Sequence, residues 1–150
     1  MNVECHCGAV KFPTPAPEPI DIYCCHCSEC RRQSASAFGI SAIFPADGLV
    51  PLSADLESKL QVWTRPTKSG GQMDCYFCRV CGSRIFHHVR ESDGTRRSTV
   101  SIKGGSIKGL NFKKGKHIWT NNAVIPVPEG AESWPESPPA TPRKDEAMEE

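Results

Sequence analysis

Seven of the nine cysteines fall into three tight clusters, and this grouping constrains the fold more than any other feature of the chain. In chain order they are Cys5 and Cys7, then Cys25, Cys27 and Cys30, then Cys78 and Cys81. Thiolates at such spacings can converge on one soft cation, for which zinc is the usual choice. Four thiolates complete a tetrahedral zinc, whereas three leave a position for water or substrate. A division of the seven cysteines into a set of four and a set of three therefore predicts one closed and one open zinc site, with two zinc ions per chain.

The closed site is predicted to join the first cluster to the third. Cys5 and Cys7 would supply two thiolates, and the Cys78-Arg79-Val80-Cys81-Gly82 turn would supply two more. Closing such a long loop is where a crosslink gains most in principle. In the alternative interpretation, the two pairs are small buried hydrophobic residues. A C-x-x-C-G turn facing a C-x-C pair favours the structural zinc.

The open site is predicted at Cys25, Cys27 and Cys30, which lie so close in sequence that they share one turn. Cys24 is expected in the core, because adjacent residues of a strand point in opposite directions. A grouping with Cys24 in place of Cys25 is the first alternative. The second is another structural zinc, completed by a histidine or by Cys75.

The cysteine count and the charge limit the compartment and the partners. An odd number of clustered cysteines, with no long apolar run in the first twelve residues, argues against a secreted disulfide framework. The formal charge of +1 becomes about −2 once seven thiolates hold two zinc ions. A nucleic-acid partner is therefore not expected, and no stretch reaches membrane-spanning length. We expect a cytoplasmic protein with a small-molecule partner. A nuclear location and a homodimer remain open.

The pattern of hydrophobic residues predicts an all-β domain of short antiparallel strands. Residues 85–89 and 97–102 form a predicted hairpin, and residues 116–127 contain a predicted last strand. Residues 54–63 fit either a helix or an amphipathic strand, and Ser28 is expected to cap a short helical turn. Residues 1–136 form the predicted zinc-binding domain. Residues 137–150 are rich in proline and charge, and we expect them to be disordered.

Four runs of this sequence resemble the glutathione-dependent formaldehyde-activating enzyme family, which also contains centromere protein V. They are Cys5-His6-Cys7-Gly8-Ala9-Val10, Cys25-His26-Cys27-Ser28-Glu29-Cys30-Arg31-Arg32-Gln33, Phe77-Cys78-Arg79-Val80-Cys81-Gly82-Ser83 and His117-Ile118-Trp119-Thr120. The resemblance covers residues 2–128 and implies an all-β fold of the β-tent type with two zinc ions. It also implies a structural zinc on the first and third clusters and a catalytic zinc on Cys25, Cys27 and Cys30.

The resemblance further implies carbon–sulfur lyase chemistry, with glutathione as co-substrate. The activity named for the family joins formaldehyde to glutathione as S-hydroxymethylglutathione. Here the stretch Asn121-Asn122-Ala123-Val124 lacks the lysine usual after the late strand. A thiol conjugate or another small carbonyl substrate is therefore an equal expectation.

Other residues near the open site have predicted roles. Arg31 and Arg32 directly follow the last ligand, where an arginine could bind a substrate carboxylate through two of its three guanidinium nitrogens. A solvated helical turn is the competing interpretation. His26 is expected to point away from the metal, and one of His87 and His88 is expected to face inward.

Three functions fit these observations. The first is a zinc-dependent carbon–sulfur lyase acting on a thiol adduct or a small carbonyl compound. The second is a non-catalytic zinc module that binds chromatin or a protein, although the chain has no long basic arm. The third is a zinc hydrolase, isomerase or lyase of a specialised pathway, because fold alone does not determine function.

Overall fold

The computed structural model describes residues 1–139, and short strands make up most of its regular structure. The strands are β1 (Asn2–Glu4), β2 (Lys11–Pro13), β3 (Asp21–Cys25), β4 (Gly39–Pro45), β5 (Leu60–Pro66), β6 (Gln72–Cys78), β7 (Arg84–Arg90), β8 (Arg96–Lys103), β9 (Ile107–Lys108) and β10 (Lys116–Ile118). Two short helices, α1 (Ser28–Ser34) and α2 (Ala54–Lys59), accompany them. The all-β prediction is confirmed.

The strands form two sheets. Seven strands lie in the order β10-β3-β4-β8-β7-β6-β5, and three lie in the order β2-β1-β9. Neighbouring strands are antiparallel except for β10, which pairs in parallel with β3. The predicted hairpin is confirmed as β7 and β8. Because β3 is paired with β10 on one side and with β4 on the other, the open cysteine cluster at the end of β3 is held by a paired framework.

One hydrophobic core serves both sheets. Val3 of the small sheet and Ile107 of β9 belong to the same buried cluster as Phe44, Phe86 and Ile102 of the large sheet. These side chains are at most 4% exposed. Burying each one contributes about 1.5–3 kcal/mol relative to leaving it in water. The core thus fixes the small sheet, which carries Cys5 and Cys7 in the turn after β1, against the large one.

Residues 54–63 contain both of the structures that their sequence allows. Ser53 caps α2, with its hydroxyl accepting a hydrogen bond from the Leu56 amide. The helix ends at Lys59, and the chain continues directly into β5. Leu56 and Leu60 are both buried, so the apolar positions of the two elements meet on the core side.

The last strand predicted within residues 116–127 is confirmed as β10, which ends at Ile118. Trp119 adopts a left-handed conformation with φ of 59°, and a 3-10 turn, Thr120–Asn122, follows. A later segment of the chain returns to β10, where the His117 amide donates a hydrogen bond to the Glu132 carbonyl. Residues 140–150 lie outside the described part of the chain, so the predicted boundary at residue 137 stays a prediction.

No helix within residues 1–139 has the length and hydropathy needed to cross a membrane.

Candidate metal centres and the adjoining cavity

Four cysteines converge where the small sheet meets the end of β6. The sulfurs of Cys5, Cys7, Cys78 and Cys81 all lie within 4.8 Å of one another. Cys5 Sγ is 3.6 Å from Cys7 Sγ, which in turn is 3.8 Å from Cys78 Sγ. Sulfurs bound tetrahedrally to one zinc at ~2.3 Å would be ~3.8 Å apart. The four residues therefore fit a single metal ion of that size.

The local turns prepare these sulfurs for a cation. The Val10 amide donates to Cys5 Sγ at 3.2 Å, and the Ser83 hydroxyl lies 3.2 Å from Cys81 Sγ. Hydrogen bonds from the Ser83 side chain and amide lower the pKa of Cys81 to about 5. Gly82 allows this turn, because its φ of 73° is a conformation that other residues rarely adopt. Donors aimed at sulfur favour the thiolate, which is the metal-binding form.

A second cluster contains three cysteines. The sulfurs of Cys25, Cys27 and Cys30 also lie within 4.8 Å of one another. Cys25 is the last residue of β3, and Cys27 caps α1 by accepting a hydrogen bond from the Cys30 amide at 3.3 Å. The predicted cap, Ser28, is instead the first residue of α1, because the sulfur one position earlier reaches the free amide. The end of β3 and the start of α1 thus bring the three sulfurs together.

The pKa values of the three thiols in the second cluster depend on one another. Hydrogen bonds from the thiols of Cys25 and Cys30, together with amides of α1, lower the pKa of Cys27. Hydrogen bonding with the sulfurs of Cys27 and Cys30, together with burial, raises the pKa of Cys25. Gln33 Nε2 donates a hydrogen bond to Cys30 Sγ at 3.3 Å. A divalent cation would displace the remaining thiol protons.

The alternative ligand sets predicted for the open site are not assembled. Within residues 1–139, neither Cys24, Cys75 nor a histidine belongs to the second cluster. Cys24 is buried in the adjoining strand position, and Cys75 is fully buried on β6. The cluster therefore offers three ligands, so a four-coordinate metal bound there would keep one position open.

The second cluster opens onto a cavity of about 500 Å³. This volume lies within the ordinary range for small-molecule sites, about 300–1,000 Å³. Cationic side chains from three places in the sequence, Arg65, Lys68 and Arg97, line its wall. Glu29 is the acidic side chain among the described residues that line it. The cavity therefore suits a ligand that carries negative charge.

The cavity mouth includes a cation–aromatic contact. Lys68 Nζ lies 4.5 Å from the ring centroid of Trp119. Lys68 belongs to the loop between β5 and β6, whereas Trp119 follows β10 at the other end of the sheet order. The two side chains thus meet across the cavity. Such contacts contribute about 0.5–1 kcal/mol at exposed sites.

Arg31 and Arg32 do not line this cavity. Both border a separate shallow depression on the other side of α1. The Arg32 side chain is 80% exposed and pairs with Glu29 at 3.4 Å. The geometry gives no support to their predicted contact with substrate, which stays a prediction.

The histidines divide into structural and cavity-facing groups. His26 is fully buried, with Nε2 2.9 Å from Nδ1 of His117. Burial lowers the pKa of both rings and so favours their neutral forms. His88 is buried with Nε2 2.7 Å from the Arg97 carbonyl, whereas His87 lines the cavity. Burial, followed by the charge of Lys103, holds the pKa of His87 well below its ordinary value.

The structure adds residues that the sequence pattern did not single out. They are Ser41, Arg65, Lys68, Arg97 and Lys103. Lys103 is only 7% exposed, and its Nζ donates to Ser41 Oγ at 3.0 Å. Burial lowers the pKa of Lys103, whereas the nearby sulfur of Cys30 acts in the opposite direction. A lysine at the end of a strand carries no sequence signal of burial, so only the pairing of β4 with β8 reveals it.

These features agree with the known relatives of the chain. Residues 1–122 match the family model described as glutathione-dependent formaldehyde-activating enzyme, and the chain therefore belongs to that family. A relative from Halomonas elongata is named "Putative glutathione-dependent formaldehyde-activating enzyme". It is 34% identical over 87 residues, a match that covers 57% of this chain and 54% of the relative. The chain thus spans about half the length of this curated relative.

Proposed function

We propose that this protein is a zinc-dependent carbon–sulfur lyase that joins a thiol to a small carbonyl compound and catalyses the reverse cleavage. Glutathione is the proposed thiol, and formaldehyde is the first candidate for the carbonyl compound. The observation that carries the proposal is the opening of Cys25, Cys27 and Cys30 onto a cavity walled by cations. Family membership supports the same chemistry.

The cavity wall provides the means to bind glutathione. Glutathione carries two carboxylates, and Arg65, Lys68 and Arg97 come from separate elements of the wall. Charged hydrogen bonds between arginine and carboxylate are about twice as strong as neutral ones. Two such contacts would fix the ends of the peptide and leave its sulfur to face the cysteine cluster. These three cations are the proposed substrate-binding residues.

The reaction forms one carbon–sulfur bond and moves one proton from the thiol to the carbonyl oxygen. The thiol loses its proton, its sulfur bonds to the carbonyl carbon, and the carbonyl oxygen takes up a proton to become a hydroxyl. Zinc held by three thiolates with one position open would lower the pKa of an entering thiol. The cavity residues orient the thiol and the carbonyl against each other.

Exchange spectroscopy tests the proposal directly. The rate of exchange between ¹³C-formaldehyde hydrate and S-hydroxymethylglutathione is measured by NMR with and without the protein. We expect the purified zinc-loaded protein to accelerate exchange, and the Cys27→Ser protein to give the uncatalysed rate. Equal acceleration by the two proteins, or none by either, would refute the lyase assignment for this substrate pair. The measurement is then repeated with other small aldehydes.

A further inference from the structure

Lys103 is a buried cation without a carboxylate partner. No Asp or Glu within residues 1–139 forms an ion pair with it. Lysine is rarely buried unless it is paired, because removing its charge from water is costly. Burial, and then the charge of Arg84, lowers the pKa of Lys103, whereas the sulfurs of Cys30 and Cys25 act in the opposite direction. Its counter-charge would therefore be the cysteine cluster, because three thiolates with a divalent ion bound carry a net charge of about −1.

The hydrogen bond from Lys103 determines what Ser41 can do. An ammonium group has donors and no acceptor, so Ser41 Oγ must accept in their 3.0 Å contact. The Ser41 hydroxyl hydrogen then remains to be donated elsewhere. Within the described residues, Ser41 Oγ has no other hydrogen bond, and Ser41 lines the cavity. The hydroxyl is thus held as a donor on the cavity wall.

From this geometry, we infer that Ser41 is a catalytic residue that stabilises the oxyanion of the carbonyl substrate, and that Lys103 is its positioning residue. The inference rests on the proposed function. When the sulfur bonds to the carbonyl carbon, the carbonyl π electrons move to oxygen, and Ser41 donates a hydrogen bond to that oxygen. The proton lost by the thiol reaches the oxygen through cavity water, so the charges balance. A fixed donor already in place needs no reorganisation during the reaction.

Two variants test the pair in steady-state kinetics. Removing one oxyanion donor typically lowers kcat by about 10²–10³-fold. We expect Ser41→Ala to lower kcat in that range, and Lys103→Met to lower it at least ~10-fold with the KM for glutathione little changed. Ser98→Ala and Lys108→Met serve as matched controls, since both residues are exposed and lie outside the cavity. Melting temperature and zinc content verify that each variant is folded.

A binding measurement separates this inference from the lyase assignment. S-carboxymethylglutathione places a negative oxygen near the reacting sulfur, whereas S-methylglutathione does not, and calorimetry compares their affinities. We expect the parent protein to prefer the carboxymethyl compound at least ~10-fold. The Ser41→Ala and Lys103→Met variants should keep the parent affinity for S-methylglutathione and lose most of the preference for S-carboxymethylglutathione. An unchanged preference in both variants would overturn the inference alone. Failure of the parent protein to bind either compound would overturn the proposed function and the inference together.

Discussion

The sulfur of Cys7 lies 3.8 Å from the sulfur of Cys78, although the two residues are 71 positions apart in the chain. Cys7 belongs to the turn between β1 and β2, and Cys78 ends β6 of the large sheet. A metal at this point would join the two sheets at their edge, in addition to their shared hydrophobic core. The binding energy of such a metal contributes directly to folding.

Replacement of Cys78 by serine should therefore destabilise the whole domain. Structural zinc sites contribute apparent binding energies of about 10–16 kcal/mol, so loss of one ligand should cost at least ~4 kcal/mol. Urea unfolding followed by circular dichroism measures the change. The matched control is Cys24→Ala, which removes a buried cysteine outside both clusters and should cost less than ~1.5 kcal/mol. Equal losses in the two variants would show that Cys78 acts only as a packed side chain.

The two sets of cationic residues near the open cluster give opposite predictions. Arg65→Gln and Lys68→Ala should each raise the KM for glutathione by about 5–30-fold, because each loses one charge-assisted contact of about 1–2 kcal/mol. Their kcat should change little, since the contact is the same before and during the reaction. Steady-state kinetics over a range of glutathione concentrations separates the two constants.

Arg31→Ala and Arg32→Ala complete this comparison, because both residues lie outside the cavity. Both variants should retain the parent KM within about twofold. If they raise KM while the cavity variants do not, Arg31 or Arg32 binds a carboxylate of the substrate, as one of the two interpretations of the sequence predicted. Lys113→Ala, on an exposed loop, serves as a control for the loss of one positive charge.

Asp74 should make the protein sensitive to acid. Its carboxylate is buried, accepts from Thr64 Oγ1 at 2.7 Å, and pairs with Arg96 at 2.9 Å and Arg90 at 3.5 Å. Burial alone would raise the pKa of Asp74, but the hydrogen bond and the arginines outweigh it and lower the pKa. A lowered folded-state pKa stabilises the protein above the unfolded value of about 3.9. This contribution is lost as the pH falls through the folded-state pKa.

The Asp74→Asn variant tests this account. At pH 7 it should lose about 1–3 kcal/mol of unfolding free energy, because the two arginines lose their shared charge partner. Its stability should also fall less steeply than that of the parent protein below about pH 4. Glu91→Gln is the control, since its partner Arg97 is half exposed and such pairs contribute less than ~1 kcal/mol. If the unfolding free energies of the parent and Asp74→Asn proteins change in parallel with pH, Asp74 does not cause the acid sensitivity.

Local spacing made the three-cysteine cluster predictable from the sequence. Cys25, Cys27 and Cys30 share one strand end and one helix start, so the chain itself brings their sulfurs together. The turn residues between two strand-like runs, at residues 85–89 and 97–102, similarly predicted the β7–β8 hairpin. Where two local patterns overlap, as in α2 and β5, the sequence indicated the alternatives but not the point at which one replaces the other.

The remaining features depend on pairing between residues far apart in the chain and could not be predicted from the sequence. The parallel pairing of β10 with β3 and the return of Glu132 to His117 depend on tertiary contacts, so the end of β10 was missed. The burial of Lys103 beside Ser41 likewise arises from the register of β4 against β8. The cavity cations come from β5, the following loop and β8, which no single stretch of sequence brings together.

One cysteine cluster is proposed to hold a structural metal and the other a catalytic one. Elemental analysis measures zinc per chain in the parent protein, purified without chelator, and in a Cys25/Cys27/Cys30→Ser variant. We expect two zinc ions in the parent protein and one in a variant that remains folded by circular dichroism. One zinc ion in both proteins, or an unfolded variant, would contradict the division into a structural and a catalytic site.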